Sequence, residues 1–238
     1  NAQVTLSAAT NSVVNISIDQ HYEYSKLIED IAEVQSLASM RKFYTDDAGY
    51  ALSTQVDTKL GSLWEALQGG TVGGDNAASW ETAVIGSDGT TLYTGNSANS
   101  AAITDAGIRA MILKLDNADV PMDNRSLIIP PVVASYMLAI ARFTEQQFIG
   151  SGDAIKTGKI GQIYGIDIYV SSACPTATGT DRVGAMFHKD ALCLAEQVGV
   201  RSQTQYKQEF LGTLYTADRL YGTQVLRPET GFMLAVNG

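Results

Sequence analysis

The stretch GSGDAIKTGKIG, residues 150–161, has the composition of a loop that could cradle phosphate. Such a loop works when closely spaced glycines aim backbone N–H groups at the phosphates, a lysine neutralises charge, and a following Ser or Thr holds magnesium. The spacing here does not allow it. Five residues rather than four separate Gly152 from Gly158-Lys159, and Ile160 stands where the hydroxyl is needed. Read as a dinucleotide fingerprint, Gly150 and Gly152 lack a third glycine three places on. The stretch therefore predicts a loop with one basic edge.

The remaining residues with chemical potential fare no better. His21 and His188 are the only histidines. His-Tyr-Glu at 21–23 has the form of half a zinc deaminase signature, but no Pro-Cys-x-x-Cys partner exists. His21 is expected on a strand face and His188 near a helix start. Asp46-Asp47 and Glu29-Asp30 are adjacent acids, and neighbours on a helix point about 100° apart, so neither pair shares a site. Cys174 and Cys193 fit no metal or redox spacing and read as reduced, small hydrophobes of a cytoplasmic protein. The Asn15 and Asn124 glycosylation-type triplets carry no sign of secretion. No catalytic, cofactor-binding or metal-binding residue emerges, and the chain does not read as an enzyme.

A structural role has to be carried by the elements themselves. The 238 residues suit one large domain or two small ones, and a chain of this size buries roughly 70 % of its unfolded surface. Apolar residues make up 45 % and charged residues 17 %, which argues against overall disorder. No apolar run approaches the ~18 residues of a membrane span. The first residue is Asn, which predicts a removed or omitted upstream segment. A net charge of −9 and a pI near 4.6 exclude nucleic-acid binding through the general field and suit a container wall around DNA better than a clamp on it.

VTLSA (4–8) and VVNISI (13–18) read as strands around the turn-like ATNS, a hairpin too small to be stable alone. IDQHYEYSKLIEDIAEVQ, residues 18–35, begins as a strand and turns helical near Ile31. Its alternation places Tyr22 and Tyr24 on one face, either packed within the chain or buried at an interface where the ring is covered and the hydroxyl stays wet. Apolar residues then recur at helical steps from Leu37 to Leu67, through Leu52, Val56, Leu60 and Trp64, with a bend or break at Gly49. Residues 69–103 read as a long Gly/Ser-rich connection containing some sheet. Thr104 caps a helix whose apolar face is Ile108, Met111, Ile112 and Leu115. SLIIP (126–130) is a buried strand, and Pro131 opens a further helix with Val133, Tyr136, Met137 and Ile140. QIYGIDIYV (162–170) and VGAMF (183–187) read as strands, KDALCLAE (189–196) as a short helix, and the rest as extended, β-rich chain. This irregular mixture predicts an α+β fold.

In this order the segments resemble tailed-phage major capsid proteins of the Hong Kong-97-type fold, which encapsulin shells share. ISIDQHYEYSKLIEDIAEVQS (16–36) is similar to the outgoing strand of the family's extended loop joining the spine helix. YTDDAGYALSTQVDTKL (44–60) is similar to the spine itself, as it occurs in podophage-like members. VPMDNRSLIIPPVVASYMLAIARF (120–143), GKIGQIYGIDIYVSSACP (158–175) and FLGTLYTADRLYGTQVLRPETGFMLAV (210–236) are similar to the axial strand and helix, the glycine-rich hairpin and the closing peripheral strands.

The resemblance implies an extended β-hairpin loop over 1–32, with its N-terminal arm short or missing. It implies a peripheral domain with the spine helix over 33–103, an axial domain over 104–197, and a return to the peripheral sheet over 198–238. It implies a structural protein that self-assembles through hexamers and pentamers into an icosahedral virion shell. The shell would enclose double-stranded DNA without sequence-specific binding, in the host cytoplasm, with scaffolding, portal and decoration proteins as partners and no membrane or cofactor. Val14, Ile16, Ile18, Tyr22 and Tyr24 would lie against a neighbouring copy. Lys26, the only lysine before the spine, lies at the strand–helix junction, so covalent crosslinking is not expected. The alternative is an encapsulin-like compartment holding cargo enzymes, disfavoured because encapsulins lack the run at 16–36.

Overall fold

Strand β1 (Gln20–Glu29) pairs antiparallel with β8 (Gly212–Val225), residue for residue from Gln20 opposite Tyr221 to Glu29 opposite Gly212. β8 in turn pairs with β7 (Leu192–Lys207), giving a three-stranded sheet in the order β1, β8, β7. The computed structural model describes residues 13–35, 40–69, 80, 83–94, 99–140, 161–177 and 179–237.

Directly after β1 the chain becomes helical, over α1 (Asp30–Gln35) and α2 (Met40–Ser62). The change of period expected near Ile31 falls at Asp30. Residues 36–39, Leu37 among them, lie outside the described residues. α2 runs through Gly49 without interruption for 23 residues and continues as a 3-10 turn over Leu63–Gly69. It ends where Gln68 takes a positive φ of 59°. Its threonines would ordinarily weaken a helix, but Thr45, Thr54 and Thr58 each donate to the carbonyl four residues back, so the hydroxyls are satisfied without breaking the ladder. Ala48, Leu52 and Val56 form its buried stripe. Ala48 and Leu52 pack with Ile28, Tyr215 and Ala217 of the three-stranded sheet.

The following turns serve a different layer. Trp64 and Leu67 join Tyr93, Val183, Ala185, Met233 and Ala235 on one face of a second sheet. That sheet has six strands: β2 (Val84–Ile85), β9 (Gly231–Val236), β6 (Arg182–His188), β3 (Arg125–Ile129), β5 (Ile166–Val170) and β4 (Gln162–Ile163), in that spatial order. Its other face is covered by α3 (Asp105–Asn117) and α4 (Pro131–Leu138). Ile108, Met111, Leu115, Val133 and Met137 meet Leu127, Ile129, Met186, Leu234 and Val236 there. Strand residues alternate between the two cores, Met233 and Ala235 on one side and Leu234 and Val236 on the other. A sheet covered on both faces needs apolar residues at successive positions, and GFMLAV supplies them. The helical segment from Met40 to Gly69 thus joins the two sheets, each fully buried large side chain contributing roughly 1.5–3 kcal/mol.

Buried polar groups fix the connections. Thr104 caps α3 as expected, accepting from the Gly107 N–H at 3.1 Å, while its hydroxyl donates to the Ser87 carbonyl at 2.5 Å. Such a cap is worth about 1 kcal/mol. Asp181, buried beside β6, accepts from Tyr93 at 2.9 Å and Ser100 at 2.6 Å, holding the Gly/Ser-rich connection to the sheet. Arg125 is buried and donates to the Val120 and Pro121 carbonyls at 2.6 and 2.9 Å, closing the turn between α3 and β3.

KDALCLAE is not a helix: Leu192 opens β7, because pairing with β8 from Val225 onward outweighs the local helical preference of Ala, Leu and Glu. His188 accordingly closes β6 instead of lying near a helix start. VVNISI is not assigned as a strand: residues 13–19 have no ladder partner among the described residues, and pairing starts at Gln20. The other half of that hairpin, residues 4–8 with the turn ATNS, lies outside the described residues, as does the loop 150–160. QIYGIDIYV is a hairpin, with Tyr164 and Gly165 at φ of 50° and 80° forming the two-residue turn between β4 and β5. β9, grouped by sequence with the closing peripheral strands, pairs with β6 and β2 in the six-stranded sheet.

Candidate intersubunit surface

β1 carries two chemically different faces. Its alternation and its register with β8 place Tyr22 and Tyr24 with Tyr215, Ala217, Arg219 and Tyr221 on the face toward α2. Tyr22 is half-buried and stacks on Tyr221 with ring centroids 6.0 Å apart. Tyr24 is half-buried too, and its hydroxyl donates to Asp47 of α2 at 2.5 Å. Burial, with the hydrogen bond and charge of Asp47 adding to it, pushes the Tyr24 hydroxyl up to about 12. The spacing of the two rings was legible in the sequence. Their partners in this chain are its own helix and its own strand β8.

The opposite face is polar. Asp218 of β8 sits there at the centre of a cation pair: Arg201 of β7 donates to its two carboxylate oxygens at 2.7 and 2.8 Å, and His21 of β1 approaches at 3.1 Å. The Arg201 hydrogen bonds, followed by that of His21, hold Asp218 down near 2. This three-strand ion cluster ties β1, β8 and β7 together. No short-range pattern marks it, since residues 21, 201 and 218 become neighbours only through the pairing.

Ahead of β1 the chain leaves the sheet. Val13, Val14 and Ile18 are exposed, at 82 %, 44 % and 40 %, and Ile16 is half-buried. Of the five residues expected to meet a neighbouring copy, Val14 and Ile18 present apolar surface to solvent, Ile16 does so in part, and Tyr22 and Tyr24 face inward. β7 forms the far edge of the sheet and is exposed over most of its length.

A second apolar feature lies between α2 and the six-stranded sheet. A groove of about 540 Å³ is lined by Leu60, Trp64, Tyr169, Phe187, Leu192 and both cysteines among others. Burial pushes the Cys174 thiol up to about 11, so it stays protonated and unreactive at neutral pH. Among the described residues no group of three or more His, Cys, Asp or Glu could hold a metal ion, and no helix is long and apolar enough to cross a membrane.

A family model described as phage capsid protein matches residues 40–232, from the first residue of α2 into β9. Among solved structures, that of Mycobacterium phage Che8 is similar with a TM-score of 0.74 and 23 % identity over 98 % of this chain and 76 % of that one. The capsid of Cyanophage P-SCSP1u gives 0.70 and 19 % over 100 % and 81 %. The capsid of Helicobacter pylori bacteriophage KHP30 gives 0.64 and 12 % over 93 % and 76 %. These likenesses are of fold, the α+β fold of Hong Kong-97 type. No protein of curated function matches the chain.

Proposed function

This chain belongs to the phage capsid protein family, and from that premise we propose that its copies assemble, through hexamers and pentamers, into an icosahedral shell enclosing double-stranded DNA. The observation that carries the reading is the span of the family match: it runs from the start of the spine helix through β7 and β8 and most of the six-stranded sheet, so most of the folded body after β1, not one motif, is capsid-like. A family match of this kind also favours a phage shell over an encapsulin-like compartment, and a structural protein over an enzyme.

Within the shell we assign the three-stranded sheet and α2 to a peripheral part and the six-stranded sheet with α3 and α4 to an axial part. The pairing of β2 with β9, and of β9 with β6, supports moving 84–85 and 231–236 into the axial part. Residues 13–19 act as the intersubunit arm, with Val14 and Ile18 as the apolar contacts and Ile16 beside them. Tyr22 and Tyr24 brace the root of that arm against α2. Each contact contributes little, but closed symmetry repeats it around every ring and makes their sum decisive. The acidic chain, at −9, suits a wall that encloses DNA without gripping its bases. Assembly in the host cytoplasm, with scaffolding, portal and decoration proteins, completes the proposal.

Expression with any upstream residues restored, followed by electron microscopy of the purified protein, tests it. Closed shells of uniform size are expected. Persistent monomers under all assembly conditions, or shells packed with an enzyme cargo, would overturn it.

A further inference from the structure

β8 is longer than its partner β1. It extends from Gly212 to Val225 and pairs with β7 at both ends, with register shifts between Glu196 and Arg201, Ala195 facing Gly222 and Leu192 facing Val225. β1 uses only the stretch from Gly212 to Tyr221. The edge of β8 beyond Tyr221 is thus available for further pairing, yet residues 13–19 form no ladder with it. Val13, Val14, Ile16 and Ile18 favour a continued strand, yet the chain is turned aside.

The crossing occurs at Gly222, which is buried. Ser17 and Ile18 pass directly over it. A Cβ placed there would meet the Ser17 carbonyl oxygen first, then the Ser17 carbonyl carbon at 2.9 Å and the Ile18 Cα at 3.0 Å. These are backbone atoms, so no side-chain rotation relieves the overlap. The other end of β1 repeats the device. A Cβ on Gly212 would lie 2.6 Å from the Ile28 carbonyl oxygen and 3.2 Å from the Glu29 Cα, where the chain turns from β1 into α1. Two glycines of β8 therefore bracket β1 at the points where its chain climbs off the sheet.

We infer that Gly222 is a positioning residue for assembly: by letting Ser17 and Ile18 cross β8, it directs the 13–19 arm off its own sheet and toward a second copy of the chain. This rests on the reading of that arm as the intersubunit contact. Any side chain at position 222 pushes the arm away from this exit and moves Val14 and Ile18 out of register with the neighbouring subunit.

The test uses the full chain and two substitutions, Gly222→Ala and Val14→Asp, alone and together. Folding is followed by circular dichroism, and the critical concentration for assembly by light scattering, well below every melting temperature. Gly222→Ala is expected to fold and to raise the critical concentration by about tenfold or more, the equivalent of 1.4 kcal/mol per contact set. Because both residues act through one arm, the double variant should assemble no worse than Val14→Asp alone. A folded Gly222→Ala that assembles at the wild-type concentration overturns the inference, and so does a double variant whose losses simply multiply. Normal assembly of Val14→Asp would instead sink the arm itself. If Gly222→Ala does not fold, hydrogen exchange of the free wild-type chain decides: unprotected amides over 14–18 agree with a crossing segment, whereas protection equal to that of β1 shows a continued strand and contradicts it.

Discussion

The Tyr24 hydroxyl donates a 2.5 Å hydrogen bond to Asp47, joining the middle of β1 to the first half of α2. A strand that enters the fold from an exposed arm is thereby fastened to the helix that carries the load between the two sheets. Burial raises this hydroxyl to about 12 from its ordinary 10.0. The neutral form is therefore favoured in the folded chain, and the stability it contributes is whole below pH 10 and is lost as pH rises through 12. Tyr24→Phe should cost about 0.5 kcal/mol at neutral pH, the low end for a hydrogen bond because Asp47 is exposed. Its melting temperature should fall less steeply than that of the wild type between pH 10 and 12.

Asp218 gives the opposite dependence. Held near 2 by Arg201 and His21, against an ordinary 3.8, it favours the folded chain in its charged form. That contribution is present above pH 3.8 and disappears as pH falls through 2. Asp218→Asn should lower the melting temperature at pH 6 and flatten its decline between pH 4 and 2. Thermal melts across that range check the outcome.

Leu52 is 4 % exposed where α2 meets the three-stranded sheet. Leu52→Ala removes its packing and leaves a cavity between helix and strand, which should cost roughly 2–5 kcal/mol. Phe43 lies on the same helix at 66 % exposure, and Phe43→Ala should stay within about 0.5 kcal/mol. Urea titrations of the two variants separate these values.

Local signals survived into the structure wherever they were strong enough to act alone. Thr104 with its following apolar face, and Pro131 at a helix start, specify α3 and α4 through capping and fixed φ. The stripe through Leu52, Val56 and Trp64 specifies the spine. What the sequence could not disclose was partnership. KDALCLAE reads as helix until Val225 is brought beside Leu192. GFMLAV reads as strand but does not say which sheet it joins. Tyr22 and Tyr24 were legible as one face, while the identity of the surface they meet depends on where α2 returns. Gly222 carried a signal, a glycine inside the β-rich run RLYGTQV, where a close backbone approach is the usual cause. That signal had no meaning until Ser17 and Ile18 were seen to cross it.

On the proposed function, residues 13–19 of one copy rest on another. Electron cryo-microscopy of the assembled particle, at a resolution that shows side chains, tests it most directly. Val14 and Ile18 are expected within about 4 Å of apolar atoms of an adjacent subunit. An arm folded onto its own β8, touching no neighbour, would contradict it.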